Sequence, residues 1–387
     1  MDGFVQLPEP SPQLSANRCV KSPEWLIEQK DARLDGKRPR ERHALPLAAG
    51  ELRRIAIGEI QQLDEAQKLT NLGADLGFGG DIACVGILGF SEVLEETEET
   101  RLTRDGNGAV LRQHKLHASC PEHVSFTVTD RASWEGFLKP YLVKVDPRRI
   151  DPAAFTAAAR HARARQKFFS WWGAGPFELM HSVCGHENLL IGFADDPDWA
   201  RDMAMTYARF LVMHLDALLA ETGETFDGFT IGDDLGFKEK PFMSPAMYRD
   251  ILMPAHKYLF DWAHDHDLPV AVHSCGFVEP LVPDMVEAGM DCLQALEVKA
   301  GMDLRHFMPR FTHRLAFWGN VDARALIAND RDWIDRELRT KMVPLLEAGG
   351  AFIVQSDHTI PPQVDFATMQ FFFERARELS RAVFAKR

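Results

Sequence analysis

Five consecutive segments of this chain read as strands that end in side chains capable of acid–base or metal chemistry. The segments are FDGFTIGDDLG, LPVAVHSCG, MDCLQALEVK, RLAFWGNVD and AFIVQSDHTIPP. Their C-terminal ends carry Asp233 and Asp234, His273 and Cys275, Glu297, Asn320 and Asp322, and finally Asp357 and His358. Helix-length amphipathic stretches separate the segments, so the strands should run parallel and deliver these groups to one rim. In parallel α/β barrels the loops at that rim converge on the active site, and the pattern therefore predicts an enzyme.

The sharpest local motif is His273-Ser274-Cys275-Gly276. Residues i and i+2 of a strand point the same way, so an imidazole and a thiolate at this spacing can bind one ion. Zinc accepts such a mixed nitrogen and sulfur set, and a catalytic zinc keeps one position open for substrate. The alternative is a buried cysteine that packs in the core beside a histidine bonded to a neighbouring loop.

Two further groups could complete a metal site at this rim. Glu297 ends the next strand and His358 follows the last one, and zinc tolerates a carboxylate oxygen or a second imidazole. Asp357 could instead accept the other N–H of a ligating histidine. The alternatives are an ion pair between Glu297 and Lys299 and a capping turn at residues 357–358. The predicted metal ligands are His273, Cys275, Glu297 and His358.

The remaining carboxylates and the amide at the rim are candidates for acid–base work or for substrate binding. Alternation along the strand should aim Asp233 and Asp234 differently, so we expect one functional and one structural residue. Asp234 is the catalytic candidate together with Glu297. The predicted substrate-binding residues are Asp233, Asn320, Asp322 and Asp357. For Asn320 and Asp322 the alternative is an N-cap of the following helix.

A weaker candidate cluster lies in the segment PFELMHSVCGHENLL. His181 and Cys184 share one helix face, whereas Gly185 should end that face before His186. Structural roles in the core or at the surface are favoured for these residues.

The order of elements predicts an α/β protein built as a TIM-type (β/α)8 barrel. Residues 1–50 are polar and rich in proline, and they read as an N-terminal arm or lid. The segment EETEETRLTRDGNGAVLRQHKL reads as a β-hairpin around Asp105-Gly106-Asn107-Gly108, inserted near the barrel mouth. No repeat or linker interrupts the remainder, so residues 51–387 are predicted to form one domain.

Composition excludes several classes of function. The formal charge of −13 argues against a nucleic acid as the general partner, because phosphate neutralisation needs a basic surface. No stretch approaches the roughly 20 apolar residues of a membrane helix, and the N-terminus lacks the features of a signal peptide. The 6 cysteines lack the spacing of a disulfide framework, which indicates reduced thiols and a cytoplasmic location.

Several segments resemble the uroporphyrinogen decarboxylase superfamily. They are SPAMYRDILMPAHKYL, HSCGFVEPLVPDMVEAGMDCLQ, FWGNVD and GGAFIVQSDHTIPP. The resemblance runs from residue 150 or so to the end of the chain and is weaker over residues 1–100. It implies an α/β barrel, in agreement with the independent reading of strands and helices.

The resemblance implies two activities. The namesake enzymes decarboxylate uroporphyrinogen without a metal and hold it with an arginine-containing N-terminal loop, which this chain lacks. A second branch comprises zinc-dependent methyltransferases that move methyl groups between a corrinoid (cobalamin) protein and a small molecule. By resemblance to that branch, His273 and Cys275 bind zinc and Glu297 is an exchangeable ligand. His358 stands where the branch usually has cysteine, and the namesake decarboxylases also have histidine there.

Relatives thought to demethylate methoxylated compounds look closest in their GDD and SDHxIPP segments. The first hypothesis is therefore a zinc-dependent, corrinoid-linked methyltransferase or demethylase that acts with a corrinoid protein on a small-molecule substrate. Within it, Asp234 orients the substrate or handles its proton. The second hypothesis is a metal-free decarboxylase of a tetrapyrrole or related acid, and the third is a corrinoid- or tetrapyrrole-binding barrel without turnover. A homodimer is compatible with each.

Overall fold

The computed structural model describes residues 76–116 and 121–386. These residues form a seven-stranded parallel sheet and a four-stranded antiparallel sheet. In the parallel sheet the strands follow one another in the order of the sequence. The α/β class is thereby confirmed. The predicted arm over residues 1–50 lies outside the described residues, and the single domain over residues 51–387 stays a prediction.

Strands and helices alternate through the C-terminal part of the chain. The strands β1 to β11 are Leu76–Phe78, Ser91–Glu96, Thr100–Asp105, Ala109–His114, Glu122–Phe126, Phe168–Ala174, Gly228–Gly232, Val270–Ser274, Cys292–Ala295, Ala316–Gly319 and Phe352–Ile353. The helices α1 to α10 are Pro152–Ala164, Pro176–Asp195, Pro197–Thr222, Met253–Asp265, Val282–Ala288, Leu304–Phe311, Ala323–Ile327, Arg331–Glu337, Val343–Glu347 and Phe366–Phe384. Short π-helical segments are Trp134–Leu138, Tyr248–Leu252 and Leu338–Met342. The parallel sheet consists of β1 and β6 to β11, and β7 to β11 coincide with the five predicted strands.

One face of the parallel sheet carries a row of side chains that runs across its strands. The register pairs Gly232 of β7 with His273 of β8, His273 with Gln294 of β9, and Gln294 with Trp318 of β10. Paired residues point to the same face, because side chains alternate along each strand. The alternate positions are apolar and fully buried, and they are Ile231, Val272, Leu293 and Phe317. His273 and Gln294 therefore lie side by side on the other face.

The parallel sheet has seven strands, whereas the barrel prediction required eight in a closed ring. Within the described residues β1 pairs only with β6, and β11 pairs only with β10, so the two edges are not joined. The prediction assumed that the alternation of strands and helices found from β7 to β11 continues through the whole chain. Between β1 and β6, however, the chain forms the antiparallel sheet in addition to α1.

The predicted hairpin lies at the centre of the antiparallel sheet. β3 and β4 pair antiparallel, and β2 and β5 extend them to four strands. The Asp105 carboxylate accepts the backbone N–H groups of Asn107 at 2.9 Å and Ala109 at 3.0 Å. Gly108 has a φ of 78°, which glycine adopts without steric cost. Local turn chemistry thus sets the register of this sheet.

α3 is, among the described helices, the one that is long and apolar enough to cross a membrane by length and composition alone. However, 61% of its most apolar window of 18 residues is buried inside the protein. It starts at Asp196, whose carboxylate accepts the N–H of Trp199, and ends at Gly223 in the left-handed conformation. It packs between α2 and α4, as a core helix does.

A buried arginine holds the irregular segment between β1 and β2. The Arg149 guanidinium donates to the carbonyl oxygens of Ala83 at 2.7 Å, Val85 at 2.5 Å and Gly86 at 2.6 Å, and the residue is 3% exposed. The side chain of the adjacent Arg148 is 75% exposed. The two neighbouring arginines therefore differ in burial and in the number of backbone groups that they hold.

Replacing Arg149 by methionine should lower the free energy of unfolding by about 2–4 kcal/mol, because buried carbonyl oxygens lose their donors. The matched control Arg148→Met should change it by less than about 0.5 kcal/mol. Urea denaturation followed by circular dichroism measures both. Equal losses in the two variants would contradict this role of Arg149.

Candidate metal centre

Three side chains from the ends of β7 and β8 converge on one point. One ligand atom each from Asp234, His273 and Cys275 lies within 4.8 Å of the others. His273 Nε2 is 3.3 Å from Cys275 Sγ and 3.4 Å from Asp234 Oδ1. The part of the chain that the structure describes contains no other such group. The predicted pair of His273 and Cys275 is therefore together, with Asp234 as its third member.

The backbone turns after β7 and β8 bring these side chains together. The N–H of Cys275 donates to Asp234 Oδ1 at 2.8 Å. Gly276 has a φ of 74°, and a Cβ atom there would lie 2.5 Å from the carbonyl carbon of Gly236. A larger residue at position 276 would force the two loops apart. The glycine after the His-Ser-Cys motif is thus needed to place the thiol beside Asp234.

Two glutamines that were not predicted from the sequence hold the imidazole of His273 through Nδ1, one directly and the other through the first. His273 Nδ1 is hydrogen-bonded to Gln294 Oε1, and Gln294 Nε2 donates to Gln355 Oε1 at 2.8 Å. The two glutamines are 1% and 2% exposed. The ring of Trp172 lies 5.9 Å from the imidazole centroid. Each glutamine interrupts an apolar strand sequence, CLQAL or FIVQS, and a polar group there must find a buried partner.

The triad lies in a negatively charged environment. Burial raises the pKa of the Cys275 thiol, and the charges of Asp234, Glu297 and Glu178 raise it further. The thiol is therefore protonated at neutral pH unless a cation stabilises its anion. Oxygen, nitrogen and sulfur donors together form a set that zinc accepts, and three protein ligands leave a fourth position open. The residues present thus fit a zinc ion.

Glu297 lies beside the triad. Its Oε2 accepts the N–H of Gly276 at 2.9 Å, and its Oε1 is 3.2 Å from Lys299 Nζ. The ion pair with Lys299 is the alternative that the sequence left open. Because the Glu297 charge raises the pKa of Cys275, the carboxylate acts on the triad without belonging to it.

The structure does not bring His358 to the triad. Its side chain is exposed, and its backbone carbonyl accepts the Ser356 hydroxyl at 2.6 Å. The preceding Asp357 is 3% exposed and accepts the N–H groups of Val298 at 2.7 Å and Ala323 at 2.8 Å. Both oxygens of Asp357 thus accept backbone N–H groups of neighbouring segments, and its role as a substrate contact stays a prediction. The placement likewise gives no support to His358 as a ligand.

The Asp233–Asp234 pair divides into a buried and an accessible carboxylate. Asp233 is fully buried and accepts the N–H of Glu178 at 2.8 Å. Its Oδ2 is 2.7 Å from His256 Nε2, and His256 Nδ1 is 2.9 Å from the Tyr248 hydroxyl. The Asp234 side chain is 38% exposed. This network and the surrounding core enclose Asp233, and substrate binding by this residue stays a prediction.

Asn320 and Asp322 are also occupied by the fold. Asn320 is fully buried, and its amide donates to two backbone carbonyls, at 2.7 and 2.8 Å, and accepts one backbone N–H at 3.1 Å. Asp322 caps α7 and lies 2.6 Å from Arg324. The N-cap alternative holds for Asp322. The polar atoms of both residues are used within the protein, and substrate binding by either residue stays a prediction.

A row of imidazole rings, His123, His181 and His186, connects the antiparallel sheet with α2. The ring centroids of His123 and His181 are 5.6 Å apart, and those of His181 and His186 are 3.7 Å apart. Gly185 has a φ of 72° inside α2. The expected break at Gly185 is present, but the resulting kink stacks His186 on His181 instead of separating them. We call these three residues the imidazole row.

Glu178 lies between the imidazole row and the triad. It was not among the site residues predicted from the sequence. Its Oε2 is 3.9 Å from His181 Nδ1. Burial raises the pKa of Glu178, and the negative charges of Asp234 and Asp233 also raise it, whereas the nearby imidazole of His181 lowers it. A carboxyl group with a raised pKa beside a candidate metal centre is typical of functional sites. Glu178 precedes His181 by about one turn of a predicted helix, and this spacing could have indicated that the two side chains lie close together.

Stability should fall in acid partly because of the imidazole row. Burial lowers the pKa of His186 to about 4, and positive charge on His181 and His123 lowers it as well. Since an unfolded histidine has a pKa near 6.5, the unfolded chain takes up this proton first as the pH falls. The contribution of a neutral His186 is thus complete above about pH 6.5 and is lost toward about pH 4.

His186→Phe should therefore reduce the drop in melting temperature between about pH 7.5 and about pH 5. Phenylalanine takes up no proton and suits the neighbouring ring of Phe242, whose centroid is 4.9 Å from that of His186. The control His306→Gln changes a histidine whose side chain is 63% exposed, and it should keep the wild-type drop. Identical drops in all three proteins would refute the prediction.

The chain is similar to a solved structure described as a Xaa-Pro dipeptidase with bound methionine in the active site, at 13% identity and a TM-score of 0.27. That similarity covers 48% of this chain and 45% of the other, so this chain spans less than half the length of that structure and the likeness carries no argument. No curated protein sequence gives a significant match.

The family model described as uroporphyrinogen decarboxylase (URO-D) matches residues 168–379, which is more than half of the chain. The matched residues include β6 to β11 and the whole triad. The chain belongs to the uroporphyrinogen decarboxylase family.

Proposed function

We propose that this protein is a zinc-dependent methyltransferase. It would move a methyl group between a small, methoxy-type substrate and a corrinoid (cobalamin) carried by a partner protein. Membership of the family supports an α/β enzyme. The observation that carries the finer proposal is the convergence of Asp234, His273 and Cys275 within 4.8 Å of one another.

The proposed ligand set differs from the one expected from the sequence. Asp234 replaces His358 and Glu297 as the oxygen or nitrogen donor beside His273 and Cys275. His358 is exposed, and Glu297 is occupied by Gly276 and Lys299. Three protein ligands and an open fourth position match the general pattern of catalytic zinc sites.

Methyl transfer from an oxygen leaves that oxygen with the electron pair of the broken bond. Zinc held by the triad would supply the positive charge that stabilises this anion. Glu178 would supply the proton, because burial and the neighbouring carboxylates raise its pKa above that of an exposed glutamate and so favour the protonated form. Trp172, whose ring lies beside His273, would provide an apolar surface for the substrate.

The runner-up is a metal-free carboxy-lyase that acts on a tetrapyrrole or a related acid, which is the activity in the name of the family model. A substrate with several carboxylates would meet the carboxylates of Asp234 and Glu297 at this rim, and like charges repel. Lys299 is already paired with Glu297, and its side chain is 61% exposed. The charge of the site therefore favours a neutral methylated substrate.

Protein purified without chelator should contain roughly one zinc ion per chain, as expected of a site with three protein ligands. Cys275→Ala should lose it, because the thiolate is the softest donor of the triad. Elemental analysis by mass spectrometry gives the stoichiometry. The matched control is Cys292→Ala, which removes a buried cysteine on the neighbouring strand β9 and should leave the zinc content unchanged. Wild-type protein without metal, even after reconstitution with zinc, would overturn the proposed centre.

Zinc-loaded protein should transfer a methyl group to free cob(I)alamin from at least one of 2-methoxyphenol, methanol and dimethyl sulfide. Formation of methylcobalamin is followed by its absorbance. Asp234→Ala should reduce the rate by roughly 100-fold or more, since it removes both a ligand and a group that faces the substrate. Asp250→Ala, a change of an exposed carboxylate paired with Arg201, is the control and should keep the wild-type rate.

Two results would transfer the assignment to another hypothesis. Release of CO2 from uroporphyrinogen that resists chelator and persists in Cys275→Ala would establish the carboxy-lyase. Binding of cobalamin, without any change in methyl donors or in uroporphyrinogen, would indicate a binding protein without turnover.

A further inference from the structure

We propose that Gln294 is a positioning residue that fixes the proton of His273 on Nδ1. The Nε2 lone pair of His273 is thereby directed at the point shared with Asp234 and Cys275. The consequence for zinc rests on the proposed function, whereas the position of the proton is a property of the protein without metal.

The contact between the two side chains follows from the sheet itself. His273 of β8 and Gln294 of β9 are register partners, so they project from the same face of neighbouring strands. His273 Nδ1 is hydrogen-bonded to Gln294 Oε1. Gln294 is 1% exposed, so water does not compete for its amide. The hydrogen bond between Gln294 and the imidazole is therefore shielded from solvent.

The orientation of the Gln294 amide is set by a second glutamine. Gln294 Nε2 donates to Gln355 Oε1 at 2.8 Å, and Gln355 is 2% exposed. With its NH2 group used in this way, Gln294 presents its carbonyl oxygen to the imidazole. A ring nitrogen that faces a carbonyl oxygen must carry a hydrogen. In the neutral ring of His273 the one hydrogen is therefore on Nδ1, and Nε2 keeps its lone pair.

Nε2, the ring nitrogen without a hydrogen, is the one that faces Asp234 and Cys275. His273 Nε2 is 3.3 Å from Cys275 Sγ and 3.4 Å from Asp234 Oδ1. A hydrogen on Nε2 would block ligation at this point, so the tautomer decides whether the third donor is available. Gln294 would in this way set the metal affinity without contacting the metal.

A neutral amide at this position takes the role of the carboxylate often found behind a ligating histidine. Asp234, Glu297 and Glu178 already place negative charge close to Cys275 and raise the pKa of its thiol. A glutamine accepts the N–H of His273 without adding to that charge. Two substitutions of Gln294 therefore differ in their effect: methionine removes the acceptor of the His273 N–H, and glutamate keeps it.

The experiment reads the tautomer directly in metal-free protein labelled with 15N-histidine. Long-range 1H–15N spectra distinguish the two neutral tautomers, and His273→Gln identifies the His273 signals. Wild type and Gln294→Glu should show the Nδ1–H tautomer, whereas Gln294→Met should show Nε2–H or a mixture. Gln355→Leu, which releases the Gln294 amide, is the second variant if Gln294→Met fails to fold.

Zinc affinity, measured by competition with a chromophoric chelator, is the second readout. Gln294→Met should weaken zinc binding by roughly 10- to 100-fold, and Gln294→Glu should remain close to wild type. A wild-type Nε2–H tautomer, or Gln294→Met with unchanged tautomer and unchanged affinity, would overturn the proposal. A tautomer that depends on Gln294 in a protein that binds no zinc would leave this inference standing and reject the proposed function.

Discussion

The carboxyl edge of the parallel sheet depends on side-chain oxygens that accept backbone N–H groups which strand pairing leaves unpaired. Each such bond joins the end of one strand to the loop of another. The pairs are Asp233 with Glu178, Asp234 with Cys275, Glu297 with Gly276, and Asp357 with Val298 and Ala323. A buried N–H without an acceptor is costly, so these residues are required by the fold before any chemistry is considered. Among these four carboxylates, Asp234 is the one whose side chain remains accessible.

The strands could be predicted from the sequence because each is an apolar run that ends in a turn. The proximity of the His273 and Cys275 side chains could also be predicted, because residues two apart on a strand point to the same face. The sequence could not tell which polar residue at a strand end would face inward. Asp233 and Asp234 differ by one position, and their roles are separated by contacts with His256 and Cys275, which are distant in the sequence. Strand number was likewise inaccessible, since edge pairing depends on long-range contacts.

The charge of the site links the fold to its proposed chemistry. Asp234, Glu297 and Glu178 all act on Cys275, and burial acts in the same direction. A cluster of acidic groups around a buried thiol is unfavourable in isolation, and a bound cation would relieve it. Family membership alone is consistent with a metal-free reaction. The arrangement of charges around the triad is what favours a metal.

The close contact between Gly236 and Gly276 has a consequence for access to the site. With these backbones in contact, and with the N–H of Phe277 donating to the carbonyl of Phe237 at 2.7 Å, the β7 and β8 loops form one stiff wall. On the side of these two loops the width of the entrance is therefore set by backbone contacts, which a change of side-chain rotamer cannot alter.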